Sequence, residues 1–164
     1  MTSSSTTAGA FQEARLPVQA KLAAAWTSVM FLYIYVDYLA LYKPGVVDDI
    51  LAGVVFGFDI TPTLLTIFLA LIAIPALMVM LSMTLPARVN RPTNLVVASL
   101  QIPLMVFNAA VASWDWASFY GLSIGIEVLI LAFILRSAWT WPRTSSASAP
   151  EPAAPRGSQI QMGR

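Results

Sequence analysis

Apolar and polar residues alternate along this chain in long blocks. Four apolar runs of between 18 and 24 residues are separated by more polar stretches. About twenty residues of α-helix span the ~30 Å hydrocarbon core of a bilayer, so each run is long enough to cross a membrane. The pattern predicts an all-α fold, an integral membrane bundle of four transmembrane helices within residues 21–142. The predicted spans are 22–41, 62–85, 94–111 and 119–139.

The segments outside these spans have a different composition. Residues 1–20 begin with the polar stretch "MTSSSTTAGA", which lacks the apolar core of a signal peptide, and residues 143–164 are rich in Pro, Ala and Ser. Such segments cannot bury a core, so we expect a flexible cytosolic tail at the N-terminus and a disordered one at the C-terminus. The long connection 43–61 is expected to hold a short interfacial helix and a turn. Thr61 and Pro62 are a typical start for the second long helix.

Basic residues are distributed unequally between the two sides that four spans would create. Lys43 alone falls on one side, and all other basic residues fall on the side of the two termini. The positive-inside rule therefore predicts that both termini are cytosolic. So strong a bias also predicts that any homo-oligomer is parallel. The residues on the terminal side are Arg15, Lys21, Arg88, Arg91, Arg136, Arg143, Arg156 and Arg164.

Composition supports a membrane protein and excludes several kinds of chemistry. The chain is 58% hydrophobic and 10% charged, against roughly a quarter charged in soluble domains. It contains no histidine and no cysteine. Thiol chemistry, imidazole metal ligands and Ser-His or Cys-His catalysis each lose a required residue. We therefore expect no enzyme, no cofactor and no metal site, and the lipid bilayer rather than nucleic acid as the partner.

Two acidic residues lie inside the predicted spans. Glu127 falls eight residues into the fourth span, ~12 Å from its start, and Asp37 lies near the end of the first. No basic residue lies at the depth of Glu127, so we expect it to keep its proton at neutral pH. Helical spacing places Tyr33 on the face of Asp37, and Tyr120 and Ser123 on the face of Glu127. On the third span, Asn108 is expected near the level of Asp37.

These polar residues allow two interpretations. An intramembrane acid is a functional site by default, which favours a small transporter-like or channel-like protein with Glu127 as its protonatable centre. Alternatively, Glu127 is a protonated structural clamp between helices. Asp37 is expected to anchor the first helix near the surface, either by reaching the headgroups itself or by pairing with Lys43. The candidate site comprises Glu127, Tyr120, Ser123, Asn108, Asp37 and Tyr33.

Two further groups suggest contacts with other molecules. Ala117, Gly121 and Gly125 form a ridge of small residues that allows close helix packing. This ridge favours an alternative function, an accessory subunit that docks on a larger membrane complex. Arg88, Arg91 and Asn94 lie near the connection between the second and third spans, where they could contact lipid phosphate or simply set the topology.

Several motifs resemble a known family. They are "YIYVDYLALYKPG", the "ITP" before the second span, "VNRPTNL", "SIGIEVLILAF" and "WTWP". Together they resemble a group of small bacterial four-helix membrane proteins described only as a domain of unknown function, over roughly residues 21–142. The resemblance implies a multi-pass protein of the bacterial cytoplasmic (inner) membrane and assigns no activity. It supports Asp37, Arg91, Asn94 and Glu127 as positions of interest.

Overall fold

Four long helices make up most of the computed structural model, which describes residues 16–111 and 114–142. A short helix and a two-stranded hairpin lie in the long connection, and a single 3₁₀ turn, Trp114–Trp116, precedes the last helix. The described chain is therefore all-α apart from the hairpin. In chain order the elements are α1 (Val18–Ala40), α2 (Val46–Leu51), β1 (Val54–Val55), β2 (Phe58–Asp59), α3 (Pro62–Thr84), α4 (Ala87–Val111) and α5 (Ala117–Trp139).

The long helices correspond to the predicted spans, with one extension. The third long helix, α4, starts at Ala87, seven residues before the start of the predicted span at residue 94. The carbonyl of Pro86 accepts the backbone N–H groups of Val89 and Asn90, at 3.0 and 2.9 Å, so the chain enters a helix directly after the proline. The polar "ARVNRPTN" is thus helix rather than loop. Predictions for the tails fall mainly on residues 1–15 and 143–164, outside the described residues.

Three segments are long and apolar enough to cross a membrane: α1, α3 and the segment Trp114–Trp139 that contains α5. Helix α4 is not among them within the described residues. Many large apolar side chains of the three helices point outward, such as Leu69 and Leu129, which are 68% and 71% exposed. Apolar surface of this extent fits a lipid environment rather than water.

The four long helices contact one another in a ring. Helix α1 packs against α3 and α5, and α4 packs against α5 and more sparsely against α3. The buried core lies in one half of the molecule, and its largest members are Trp26, Leu22, Met78 and Ile134. We name this half the arginine end, because Arg88, Arg91 and Arg136 lie there; the opposite end, with Lys43, is the lysine end.

The long connection contains the expected short helix and turn. Helix α2 follows Gly45, which has a φ of 85°. Strands β1 and β2 pair antiparallel, Val54 with Asp59 and Val55 with Phe58. The two residues between the strands, Phe56 and Gly57, have φ values of 50° and 81°, as two-residue hairpin turns of the primed type require. The strand pair was not predicted, since it has only two residues on each side.

Helix α3 begins as its sequence predicts. The Thr61 hydroxyl accepts a hydrogen bond from the Leu64 backbone N–H at 3.1 Å, and Pro62 is the first helical residue. This cap satisfies one of the N–H groups that every helix leaves free in its first turn. Pro75 lies inside the helix and is buried, so the expected break in the helical hydrogen bonds faces the other helices.

Candidate functional site

Glu127 points into the molecule and bonds to another helix. It lies ten residues after the start of α5 and twelve before its end, close to the middle of the helix, and its side chain is only 4% exposed. The Tyr33 hydroxyl on α1 donates a hydrogen bond of 2.5 Å to Glu127 Oε1. The predicted tyrosine partner on its own helix, Tyr120, does not make this contact. The site therefore joins α1 to α5.

Gln101 lies at the level of this pair. Trp26 of α1 contacts Asn94 of α4, and Tyr33 and Gln101 each follow seven residues later, two turns or ~10 Å further along parallel helices. Gln101 is 4% exposed, and its amide makes no hydrogen bond to another described residue. Glu127 Oε2 also has no partner within the described residues. This middle level therefore retains unused hydrogen-bonding groups.

These unused groups are not sealed inside the protein. Among the described residues, no side-chain nitrogen or oxygen is both closed off from water and without a hydrogen bond. Glu127 Oε2 and the Gln101 amide consequently still touch space that a water molecule can enter. Unpaired polar groups sealed from water would be costly, so this access is what makes the arrangement tolerable.

A second polar cluster lies toward the arginine end and has its partners within the chain. The Trp26 indole N–H donates to Asn94 Oδ1 at 2.7 Å, and the Ser82 hydroxyl donates to the same oxygen at 3.3 Å. Asn94 Nδ2 donates to the Asn90 side-chain oxygen at 2.6 Å, and Asn90 Nδ2 donates to the Ser82 carbonyl at 2.6 Å. Both asparagines and Ser82 are fully buried. The cluster joins α1, α3 and α4.

The three residues predicted to contact lipid phosphate are placed differently. Arg88 is exposed, and Arg91 is half-buried against α5, where its Nε donates to the Ala138 carbonyl at 3.2 Å. Its guanidinium carbon lies 5.7 Å from the centre of the Trp139 ring. The prediction for Asn94 is wrong. Its side chain is buried, and its amide group hydrogen-bonds within the interior cluster, so no group is left to bind a phosphate.

A third set of polar contacts closes the lysine end. Lys43 Nζ donates to the Tyr120 hydroxyl at 2.7 Å and lies 4.8 Å from the centre of the Tyr120 ring and 5.7 Å from that of Trp116. The suggested pairing of Lys43 with Asp37 is therefore wrong, because the ammonium contacts Tyr120 of α5 and Trp116 of the preceding turn instead. Tyr120 is two turns of α5, ~10 Å, from Glu127.

The remaining candidates lie around these levels. Asp37 is exposed on α1 and makes no hydrogen bond within the described residues, and Asn108 is exposed on α4. Ser123 is half-buried between Tyr120 and Glu127 along α5. The structure thus brings Tyr33, Ser123 and Glu127 to the interior, places Tyr120 at the lysine end, and leaves Asp37 and Asn108 at the surface.

The ridge of small residues faces away from the other helices. Ala117, Gly121 and Gly125 are all exposed. A Cβ atom added at Gly121 or Gly125 would meet nothing within 4 Å. No helix of the described chain therefore packs on this ridge.

Sequence reasoning missed two parts of this arrangement. It did not predict the cluster of Asn90, Asn94 and Ser82, although the four-residue spacing of the two asparagines would place them on one face if that polar segment were helical. It also missed the contact of Lys43 with Tyr120, for which residues 77 positions apart offer no local signal. The described residues contain no group of three acidic side chains close enough to hold a metal ion.

Comparison with known proteins gives a family match without a function. A family model described as "Family of unknown function (DUF6326)" matches residues 11–148. The expected resemblance to a family of unknown function is confirmed, and the match extends beyond residues 21–142 at both ends. No curated protein and no solved structure matches the chain.

Proposed function

The chain belongs to the DUF6326 family, and from the contacts of its interior we propose that it is a small transporter-like or channel-like membrane protein with Glu127 as its proton-binding centre. The family description assigns no activity, so the proposal depends on the chemistry of the site. The observation that supports it most is the Glu127 carboxyl group, which lies near the middle of a helix long enough to span a membrane. This carboxyl group has one hydrogen bond and one unused oxygen.

We include α4 as a fourth span, with both termini in the cytosol of a bacterium. Helix α4 has 25 residues and contacts two helices that are each long enough to cross the bilayer, which supports a parallel path through the membrane. The arginine end then faces the cytosol by the positive-inside rule. Cysteines introduced singly at Arg88 and at Asp49 should react with a membrane-impermeant maleimide from opposite sides of the membrane.

The contrast between two polar levels supports function over a purely structural clamp. In the cluster around Asn94, buried groups are paired within the chain, as expected of a structural network. At the level of Glu127, an oxygen and an amide remain unused and in contact with water-sized space. A clamp gains nothing from such groups, whereas a site that takes up protons or a small ligand needs them.

The contacts at the lysine end favour a proton over larger cations. An ion that approached Glu127 from this end would meet the ammonium group of Lys43, ~10 Å away along α5. Its charge opposes the entry of metal ions and ammonium compounds. A proton can instead pass by exchange along hydroxyl groups and water, and the hydroxyls of Tyr120 and Ser123 lie on the same face as Glu127.

Proton flux into vesicles tests the proposal. Wild-type protein is reconstituted with a pH-sensitive dye inside, and a pH gradient is imposed. We expect faster decay of the gradient than in protein-free vesicles, and decay at the protein-free rate for Glu127→Gln. Asp37→Asn is the matched control, because it removes the exposed acid of α1, and it should behave as wild type. Equal flux through wild type and Glu127→Gln, or no flux above protein-free vesicles, would contradict the proposal.

The small-residue ridge favours an alternative, an accessory subunit that docks on a larger membrane complex or on a parallel second copy. The observation behind it is that the exposed Gly121 and Gly125 present open space to the outside. Close approach of a foreign helix at such positions is a common mode of association in membranes.

Crosslinking distinguishes the two kinds of docking. The chain has no native cysteine, so a single Gly121→Cys substitution can form a disulfide only with another copy or a partner. Leu122→Cys is the control, since this exposed residue lies about 100° away around the helix. A homodimer through Gly121 alone indicates a parallel oligomer, and a crosslink to a foreign chain indicates a complex. Monomer at both positions argues against docking at the ridge.

A further inference from the structure

A groove runs along the outside of α4 and α5 at the arginine end. It measures about 520 Å³ and opens to the surface. It combines two leucines, two hydroxyl groups, a tryptophan and an arginine. The lining residues are Leu95, Ser99, Leu135, Arg136, Trp139 and Thr140.

The mouth of the groove is cationic. Arg136 lines it, is exposed and makes no side-chain hydrogen bond to a described residue. Arg91 lies against the Trp139 ring, and its guanidinium nitrogen Nε donates to the Ala138 carbonyl. The two terminal nitrogens of Arg91 have no partner among the described residues. Two guanidinium groups therefore keep unused N–H donors, Arg136 on the groove lining and Arg91 against the Trp139 ring of that lining.

The floor of the groove is apolar. Leu95 of α4 and Leu135 of α5 both line it, and Ser99 lies one turn beyond Leu95. Ser99 is eight residues past Arg91 on α4, so the groove extends ~12 Å from the arginines toward the middle of the membrane. The Ser99 hydroxyl has no hydrogen bond within the described chain.

We propose that this groove binds an anionic phospholipid, with the phosphate between Arg91 and Arg136 and an acyl chain along Leu95 and Leu135. Arginine matches phosphate oxygens with paired N–H groups. The ammonium group of a zwitterionic headgroup would be repelled by two guanidinium charges, so a net anionic headgroup is the better electrostatic complement. Trp139, 69% exposed at the end of α5, occupies the position at which tryptophans meet headgroups.

Free phosphate would leave the apolar floor of the groove empty, whereas the acyl chain of a lipid would fill it. The groove therefore fits a lipid better than free phosphate. A second groove, between α1 and α5, has Lys21 as its cation. A single flexible ammonium is a weaker match for a phosphate than two guanidinium groups. The proposal requires membrane insertion but not the proton chemistry of Glu127, so the two can fail independently.

Native mass spectrometry measures lipid retention directly. Purified full-length protein is mixed with equal amounts of phosphatidylglycerol and phosphatidylcholine with the same acyl chains. We expect wild type to retain about fivefold more phosphatidylglycerol, as the charge preference of one arginine contact implies. Arg136→Gln should lower this ratio toward one. Lys21→Gln is the matched control, because it removes the exposed cation of the second groove at the same end, and it should keep the wild-type ratio.

Three results would overturn the proposal. They are equal retention of both lipids by wild type, an equal loss in Lys21→Gln and Arg136→Gln, and displacement of the lipid by millimolar inorganic phosphate. If Arg136→Gln fails to fold, Ser99→Phe takes its place, because Ser99 is exposed and the added ring fills the groove. Its retention of phosphatidylglycerol should fall by about fivefold; retention at the wild-type level contradicts a lipid in this groove.

Discussion

Tyr33 and Glu127, 94 residues apart in the chain, meet across α1 and α5 through a hydrogen bond of 2.5 Å. Among the described residues, no other side chain hydrogen-bonds to the Glu127 carboxyl group. A protonatable group on α5 therefore has its hydrogen-bond donor on α1. A relative shift of α1 and α5 would change how strongly Glu127 holds a proton.

Tyr33→Phe removes this hydrogen bond and keeps the ring. We expect a loss of about 1 kcal/mol in unfolding free energy, typical of one hydrogen bond, because the carboxyl group still reaches water-sized space. Thermal unfolding in detergent measures the loss, and proton flux should change with it. Tyr35→Phe, which alters an exposed tyrosine on the same helix, is the control. A variant as stable as wild type with unaltered flux would show that the contact has no energetic role.

Asn94→Ala should be more damaging than Tyr33→Phe. It leaves the Trp26 indole, the Ser82 hydroxyl and part of Asn90 without partners in a buried site. Each unsatisfied group adds to the cost, and we expect a loss of about 2–4 kcal/mol. Titration of purified protein with sodium dodecyl sulfate measures the unfolding free energy. Asn108→Ala changes an exposed asparagine of the same helix and should stay within about 0.5 kcal/mol of wild type.

The Asn94 cluster also predicts energetic coupling. A double-mutant cycle of Asn94→Ala with Trp26→Phe should give a coupling energy of about 1 kcal/mol or more, because the two side chains share one hydrogen bond. Additive losses would mean that the indole and the amide act independently.

Lys43→Met tests the contacts at the lysine end. The substitution removes the hydrogen bond to Tyr120 and the attraction of the ammonium to two aromatic rings, at a cost of about 1 kcal/mol. If Lys43 also excludes cations, monovalent cation flux through reconstituted protein should rise. Lys21→Met, an exposed lysine at the other end, is the control. Unchanged stability and unchanged flux would remove Lys43 from the proposed path.

Thr61→Ala tests the start of α3. Loss of the hydroxyl that caps the Leu64 N–H should lower the unfolding free energy by about 1 kcal/mol. Thr63→Ala, two residues later and exposed, makes the same chemical change without removing a cap. Equal losses in the two variants would argue that the cap contributes nothing specific.

The helices were largely predictable because their signals are local. Apolar runs of membrane length predicted the positions of α1, α3 and α5, and the Thr-Pro pair predicted where α3 begins. Helical spacing also predicted which residues share the face of Glu127 along its helix. The start of α4 was missed, because a polar segment with two prolines reads as a loop unless tertiary contacts hold it in a helix.

By itself, the sequence determined the all-α class, the family, the apolar helices and the presence of an acid near the middle of one of them. Only the tertiary structure decided which partners the polar residues find: Tyr33 for Glu127, Tyr120 and Trp116 for Lys43, Trp26 and Ser82 for Asn94. The reason is physical. Hydropathy and helical period act within one segment, whereas the rotation and depth at which two helices meet depend on the shapes of all the side chains between them.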